Sequence, residues 1–379
     1  MEFLCSKEDL YDGVQSVEKI VSTKSTLPVI GNILFEAKKS ALKISANNLE
    51  MGMEILVPAK VSKEGAVLIP AKTIAGIVGR LPEGDINFKL GEKDIVRLSY
   101  KESIFNLHAL PPDEFPSLPK VKEGRDLEIS PELFASMVEQ TIFAVSLSED
   151  KYVLNGILVE LGKAGIQGDN SNLRLIATDG YRLARRGEKI QSGAGEIKAI
   201  IPSRTLEELV KVIGDEAEES LKVVISGDQI SFKYKKAYLV SRLIQGQFPD
   251  YKQVIPKSSG TKLVLNRKDF LQATERAQVI AVSSANIVKF DLRGKKLHLI
   301  ANSPDVGSVD EVLDAEVKGE GKAQVSFNVK LISEALKAMD TEKVLLELSS
   351  TLSPGVLRPI DGADYIYIVM PIRTTEATK

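Results

Sequence analysis

The chain has 379 residues, 43% of them apolar and 27% charged, with a net charge of −2; this is the balance of a globular protein too long for one ordinary core, so two or three domains are expected. Cys5 is the only cysteine and His108 and His298 are the only histidines, which excludes an intrachain disulfide, argues against a Cys/His zinc site, and leaves nucleophile–histidine chemistry to two residues in alternating, strand-like runs ("FNLHAL", "KKLHLIA"). No apolar run approaches the ~20 residues that cross a bilayer, the N-terminus has no basic flank followed by an apolar core, and there is no phosphate loop, no GxGxxG and no HExxH, so the expectation is a cytoplasmic protein without metal, cofactor or membrane partner.

In chain order, "FLCSKEDLYDGVQSVEKIV" reads as a short strand, a capping Ser6 and an amphipathic helix with Leu10, Val14 and Val17 on its apolar face. "NILFEA" and "ALKISANNLE" form a hairpin whose second strand ends in Ala46 and a polar turn. "VLIPAKTIAGIVGRL" is a strand running into a second helix, with Pro70 where a helix start tolerates proline. Alternating strands follow, then "EFPSLP" and the polar link "PKVKEGRD". The same order then recurs. "LEISPELFASMVEQTIFAV" supplies the cap Ser130 and the face Phe134, Val138 and Thr141. "NGILVEL" pairs with "NLRLIATDGYRL", "AIIPSRTLEELVKVI" carries Pro202, and the segment closes on "QFPDYKQVIP". After "PKSSGTK" comes a third copy: Asn266 caps a helix with Phe270, Thr274 and Ala277 inward, "IVKFDL" meets "KLHLIANSPD", Asn328 replaces the proline, and the chain closes on "YIYIVMPIR". Three landmarks in one order define a threefold internal repeat. The expected boundaries are 1–124, 125–256 and 257–379. Each domain is expected to be α+β, with two helices packed on one face of a mostly antiparallel sheet.

Charge recurs on the second helices. Arg204 and Lys211 share a face, as do Lys330 and Lys337, and Lys72 and Arg80 are nearly in register, with Glu207, Glu208 and Glu334 close by. The plain reading is a solvated helix face. Its recurrence in a chain of net charge −2 favours a local electropositive surface. A rival reading is an acid–base enzyme built on Asp179, Tyr181 and Arg182, with Asp250 or Asp305 as second carboxylate. The matching turns of the other copies, "ANNLE" and "ANSPD", make that slot a turn first.

The runs "TLPVIGNILFE", "YVLNGILVE", "ATDGYRLA", "QFPDYKQVIP" and "YIVMPIR" occur in this order over essentially the whole chain. With them the sequence resembles the bacterial DNA sliding clamps, the beta subunits of the replicative DNA polymerase III holoenzyme. The resemblance implies a non-catalytic processivity factor of three similar domains, closed head to tail with a second copy into a ring around duplex DNA. A duplex about 20 Å wide plus a water layer needs a hole about 35 Å across, and a rim of roughly 110 Å takes about twelve helices each about 10 Å wide. Lys72, Arg204, Lys211, Lys330 and Lys337 are the helix candidates for diffuse, water-mediated attraction to phosphate; the resemblance adds Lys24 and Tyr152. It also implies a peptide cleft for the polymerase, the clamp loader and repair factors, formed by Leu154, Thr178, Gly180, Tyr181, Arg182, Leu183, Pro249 and Val254 with Ile368, Val369, Met370, Pro371, Ile372 and Arg373. Tyr181 stands where some relatives have His, Gln253 where some have Arg, and the tail runs on through Thr374 to Lys379. For the contact between chains the family's positions point to Ile74, Phe105, Val279 and Ile280; the apolar helix segments "TIAGIV" and "AQVIAV" read equally as intradomain core. The remaining alternative is a β-rich scaffold that binds peptides but not DNA.

Overall fold

The computed structural model of the chain describes residues 1–21, 27–162, 171–193, 195–214, 219–256 and 258–373. The first repeat runs β1 (Glu2–Ser6), α1 (Lys7–Glu18), β2 (Asn32–Lys38), β3 (Ala41–Asn47), β4 (Met51–Pro58), β5 (Lys60–Lys63), β6 (Gly65–Pro70), α2 (Ala71–Val78), β7 (Asp85–Leu90), β8 (Ile95–Tyr100) and β9 (Ser103–His108). The second runs β10 (Arg125–Ile129), α3 (Pro131–Ile142), β11 (Gly156–Leu161), β12 (Leu173–Thr178), β13 (Arg182–Glu188), β14 (Ile197–Pro202), α4 (Ser203–Ile213), β15 (Leu221–Ser226), β16 (Gln229–Tyr234) and β17 (Ala237–Arg242). The third runs β18 (Thr261–Asn266), α5 (Arg267–Ala281), β19 (Ile287–Arg293), β20 (Lys296–Ser303), β21 (Gly307–Asp314), β22 (Glu316–Gly319), β23 (Lys322–Asn328), α6 (Val329–Ala338), β24 (Lys343–Leu348), β25 (Gly355–Pro359) and β26 (Asp364–Val369).

Helices α1, α3, α5 and α6 start where side-chain oxygens are available to free backbone N–H groups. Ser6 accepts from the Asp9 amide at 3.0 Å, Ser130 from the Leu133 amide at 3.2 Å, Asn266 from the Asp269 amide at 3.1 Å and Asn328 from the Lys330 amide at 3.1 Å. Each such cap is worth about 1 kcal/mol. The predicted apolar faces, including the polar members Thr141 and Thr274, are buried. Both threonine hydroxyls donate to carbonyls of their own helix, so neither is left unsatisfied inside.

The sheets differ from the single sheet per domain that the sequence suggests. Each repeat contributes strands to two sheets, and every recorded pairing is antiparallel. The described chain falls into two compact units, and the second repeat is divided between them. Among the described residues, one unit holds Met1–Ala135 with Arg204–Leu243; the other holds Ser136–Gln191, Gly195–Ser203 and 244–373. The first unit contains a five-stranded sheet, β5-β1-β7-β8-β9, and an eight-stranded sheet, β10-β15-β16-β17-β4-β3-β2-β6. The second contains a nine-stranded sheet, β14-β11-β12-β13-β26-β25-β24-β18-β22, and a four-stranded sheet, β21-β20-β19-β23. The last strand of a repeat thus pairs with the third hairpin strand of the repeat before it: β17 with β4, Val240 opposite Gly52, and β26 with β13, Ile368 opposite Leu183. The reason is exposed backbone. A strand edge with unpaired N–H and C=O groups favours the next strand that can cover it.

Ile74 lies on α2. It is fully buried on the inner face of α2 beside Ala71 and Val78, within its own unit. Its burial matches the core reading of "TIAGIV".

Candidate partner cleft and charged helices

The turn from β12 to β13 is built around one carboxylate. Asp179 Oδ1 accepts from the Tyr181 amide at 2.8 Å and the Arg182 amide at 3.0 Å, while its Oδ2 accepts from Arg182 Nε at 3.0 Å. The Thr178 hydroxyl donates to the Arg182 carbonyl at 2.6 Å and accepts from the Gly180 amide at 3.1 Å. Gly180 sits at φ 93°, where a side chain would be strained. Asp179 therefore spends its lone pairs on the turn, an Asx cap. This is a structural use of a residue that the enzyme reading placed in its acid–base cluster.

Beyond the turn, strand alternation sorts the side chains. On one face of the nine-stranded sheet, Leu158, Ile176, Leu183, Val356, Ile366 and Ile368 form a buried apolar cluster with Phe248 and Tyr251, and Val153, Leu154 and Ile255 pack against it. A cleft of about 130 Å³ opens over this cluster, lined by Leu154, Thr178, Gly180, Arg182, Leu183, Pro249, Asp250, Tyr251, Val254, Ile368 and Met370. All of these except Asp250 and Tyr251 are among the sequence-expected residues. Asp250 accepts from the Lys252 amide at 3.3 Å and caps a short 3-10 turn, Tyr251–Val254, that forms one wall. The cap was visible in "FPDY" as an Asp ahead of a turn. Tyr251 is buried with its hydroxyl donating to Glu160 at 2.9 Å. Burial, followed by the Glu160 charge, pushes its phenol well above the usual range, so it stays neutral.

The other face belongs to the helices. Tyr367 donates from its hydroxyl to the Leu331 carbonyl of α6 at 2.7 Å, and its ring lies 5.9 Å from that of Phe143. Val369, expected in the cleft, is fully buried and alternates with the cleft-lining Ile368. The Arg182 side chain reaches past the cleft. Its guanidinium pairs with Glu334 on α6 and with Asp179, and donates to the Phe143 carbonyl just after α3. Arg182 borders the cleft but spends its charge elsewhere. Tyr181 is 66% exposed on the rim. Pro371 and Ile372 are half-buried and Arg373 is exposed, past the end of β26; the Ile372 amide donates to the Ser326 carbonyl at 2.8 Å. None of these three lines the cleft. The sequence-expected extension Thr374 to Lys379 lies outside the described residues, as does Lys24.

The helix cations are exposed in both units: Lys72, Arg204 and Lys211 in one, Lys330 and Lys337 in the other. Most have local partners. Arg204 donates to the Lys19 carbonyl at 2.9 Å, Lys211 meets Glu208 at 2.8 Å, Lys330 lies 4.0 Å from Glu334 and Lys337 2.8 Å from Glu275. Exposed ion pairs of this kind contribute about 0–1 kcal/mol. Tyr152 is 59% exposed on the 3-10 turn ahead of β11. Phe105 is half-buried on β9, Val279 is 70% exposed on α5 and Ile280 is half-buried beside it. Among the described residues, no cluster of three or more His, Cys, Asp or Glu could hold a metal, and no helix is long and apolar enough to cross a membrane.

Known proteins match this architecture from end to end. Residues 1–119 match the N-terminal domain of the DNA polymerase III beta subunit, residues 128–250 its central domain and residues 252–373 its C-terminal domain. A beta sliding clamp of Synechocystis sp. is 31% identical over 396 aligned positions, covering 98% of this chain and 99% of the relative. The chain belongs to the bacterial DNA polymerase III beta subunits, the sliding clamps. As a sliding clamp it is a non-catalytic processivity factor of DNA replication, built from three α+β clamp domains. Solved structures agree. The beta subunit from Thermotoga maritima superposes with a TM-score of 0.91 at 32% identity, covering 99% of this chain and 100% of that one. The sliding clamp from Bacillus subtilis gives 0.92 at 28% identity and covers 99% of each.

Proposed function

We propose that two copies of this chain close head to tail into a ring around duplex DNA, and that the cleft beneath Met370 seats peptide segments of the replicative polymerase, the clamp loader and repair factors. The observation that carries the ring is a pairing left unfinished. β17 covers β4 and β26 covers β13, the closing strand of one repeat on the hairpin of the one before. By the same rule β9 should cover β21, and among the described residues both stand at the edge of their sheets. A second copy supplies the missing strand at each end, which makes the contact heterologous and able to close. Phe105 on β9 fits this contact from one side, with Val279 and Ile280 on α5 from the other. Domain boundaries at 1–124, 125–256 and 257–379 fit the same scheme, with sheets that continue across them.

Lys72, Arg204, Lys211, Lys330, Lys337 and Tyr152, with Lys24, are the groups that would face the duplex. A ring must hold DNA without base-specific grip, and exposed cations acting through water do this. The apolar cleft, with Met370 able to adapt to different side chains, suits short partner segments. Partners held there gain a high effective concentration at the primer end. No bond is made or broken by the clamp.

The test is retention on DNA. The assembled ring should stay on nicked circular plasmid and run off when the circle is linearised. Alanine at Lys72, Arg204 and Lys330 together should lower retention and flatten its salt dependence. Equal retention on open-ended and circular DNA would exclude topological binding. A triple variant retained as wild type, with the cleft still binding peptide, would favour a scaffold that takes peptides but not DNA.

A further inference from the structure

Leu183 and Arg182 leave β13 on opposite faces of the sheet. Leu183 goes to the floor of the cleft. The Arg182 guanidinium passes to the helix side, where its side chain is only 10% exposed. There it finds two carboxylates, Asp179 from its own turn and Glu334 from α6, and the Phe143 carbonyl. Asp179 meanwhile uses its other oxygen to hold the Tyr181 and Arg182 amides. The rim so formed is tied to the C-terminal strand, because the Met370 amide donates to the Tyr181 carbonyl at 2.8 Å. A carboxylate on a helix under the sheet is thus linked, through one guanidinium, to the backbone that shapes the cleft above it.

The charges decide what Glu334 does. A guanidinium this buried needs an acceptor for each of its N–H groups as well as a balancing charge. If Glu334 is removed, one Nη loses its partner and Asp179 becomes the only carboxylate left. Asp179 cannot serve the guanidinium fully and keep the same geometry toward two amides. The strain falls on residues 179–182, while β13 stays zipped to β12 and β26 on either side. The cleft would lose definition before the fold loses stability.

We propose that Glu334 is a positioning residue for the partner cleft, acting from the opposite face of the sheet through Arg182 to fix the rim in its peptide-receptive shape. The proposal rests on reading this cleft as the peptide site. The experiment uses the full-length clamp and a fluorescein-labelled, acetylated pentapeptide rich in leucine and phenylalanine, with affinity read by anisotropy. Glu334→Ala should weaken binding roughly fivefold, the size of coupling found within one ion-pair network. Arg182→Ala should weaken it at least as much, and the double variant should be no worse than Arg182→Ala alone. Glu275→Ala, which removes a carboxylate from the neighbouring α5, should leave affinity unchanged. Glu334→Gln, which keeps an acceptor but not the charge, should fall between wild type and Glu334→Ala, and it serves as the test if the alanine variant does not fold. Affinity within twofold of wild type for Glu334→Ala, or losses that add in the double variant, would overturn the proposal. Met370→Asp checks the cleft itself: if it binds the peptide as wild type does, the cleft reading fails and takes the proposal with it.

Discussion

The side chain of Leu118 lies on the backbone of Gly52; a Cβ at Gly52 would stand 2.8 Å from Leu118 Cγ. Gly52 holds in the first unit the place that Leu183 holds in the second. Gly52 faces Asn47 and Val240 across its ladders, and Leu183 faces Thr178 and Ile368. Even the closing backbone bond is repeated: the Arg242 amide donates to the Glu50 carbonyl at 2.9 Å, as the Met370 amide does to Tyr181. The loops over the two places begin alike, "FPSLPKV" from Phe115 and "FPDYKQV" from Phe248, and then part. Asp250 caps a 3-10 turn that makes a cleft wall. Pro119 has no N–H to give to such a turn and biases Leu118 toward extended backbone. The first loop therefore forms no such turn. It is pinned where Asn47 donates to the Pro116 carbonyl at 3.1 Å, the Tyr238 hydroxyl donates to the Pro119 carbonyl at 3.0 Å and accepts from the Val121 amide at 3.0 Å. Where one unit has an open cleft, the other has the chain's own leucine.

That contact gives a prediction about stability. Gly52→Ala forces Leu118 to move at its branch point, and overpacking of this kind costs about 1–3 kcal/mol. The urea midpoint should fall accordingly. In Gly52→Ala/Leu118→Ala the clash is gone, so the double variant should lose clearly less than the two single losses together. Strict additivity would mean that the two side chains do not share this space.

Legibility followed periodicity. Helix faces, caps and the order of hairpins were readable because each is a local pattern: Leu10, Val14 and Val17 at helical spacing, Ser6 ahead of them. The joining of β17 to β4 and β26 to β13 was not, because nothing local in "AYLVSR" or "DYIYIV" names the strand that will lie beside it. For the cleft, the apolar members came through resemblance and the structure brought most of them together. The partners of the Arg182 guanidinium did not come through, since nothing local in "DGYRL" names Glu334 on α6 or the Phe143 carbonyl. Ile74 was ambiguous for another reason: an apolar helix residue reads equally as core or as interface until its neighbours are known.

Met370 offers the direct test of the cleft. It lines the pocket and is 39% exposed, so a polar replacement should leave the fold intact. Met370→Asp puts a carboxylate where an apolar side chain would dock, and desolvating it unpaired costs at least ~2 kcal/mol. Affinity for an apolar peptide should drop by more than about tenfold, with the thermal midpoint unchanged within error. A variant that binds as wild type would move the peptide site elsewhere.

Cys5 should be inert while the chain is folded. It is buried in β1, and burial first, then the nearby Asp9 and Asp85 charges, push its thiol up to about 12. At pH 8 almost none is thiolate, and the thiolate is the reactive form. A disulfide reagent at pH 8 should therefore label the native protein only at the rate of opening, and label it fully in concentrated urea. Rapid labelling of the native chain would show that β1 is open to solvent.

The ring is tested at Val279. It is 70% exposed on α5, with Val282 at 62% just beyond, and Ile104 on the open strand β9 is 49% exposed. Exposed apolar residues beside unpaired strand edges invite association. A charge at such a position costs an isolated chain little, because the residue is already in water, but in a packed contact it must be desolvated. Val279→Asp, and separately Ile104→Asp, should shift the chain at about 1 μM from dimer toward the 41.4 kDa monomer in sedimentation equilibrium. Mixing the two variants should not restore a closed ring, since a head-to-tail dimer of one of each still carries one doubly damaged contact. Both variants remaining dimeric, with unchanged retention on nicked circles, would place the contact between chains away from α5 and β9.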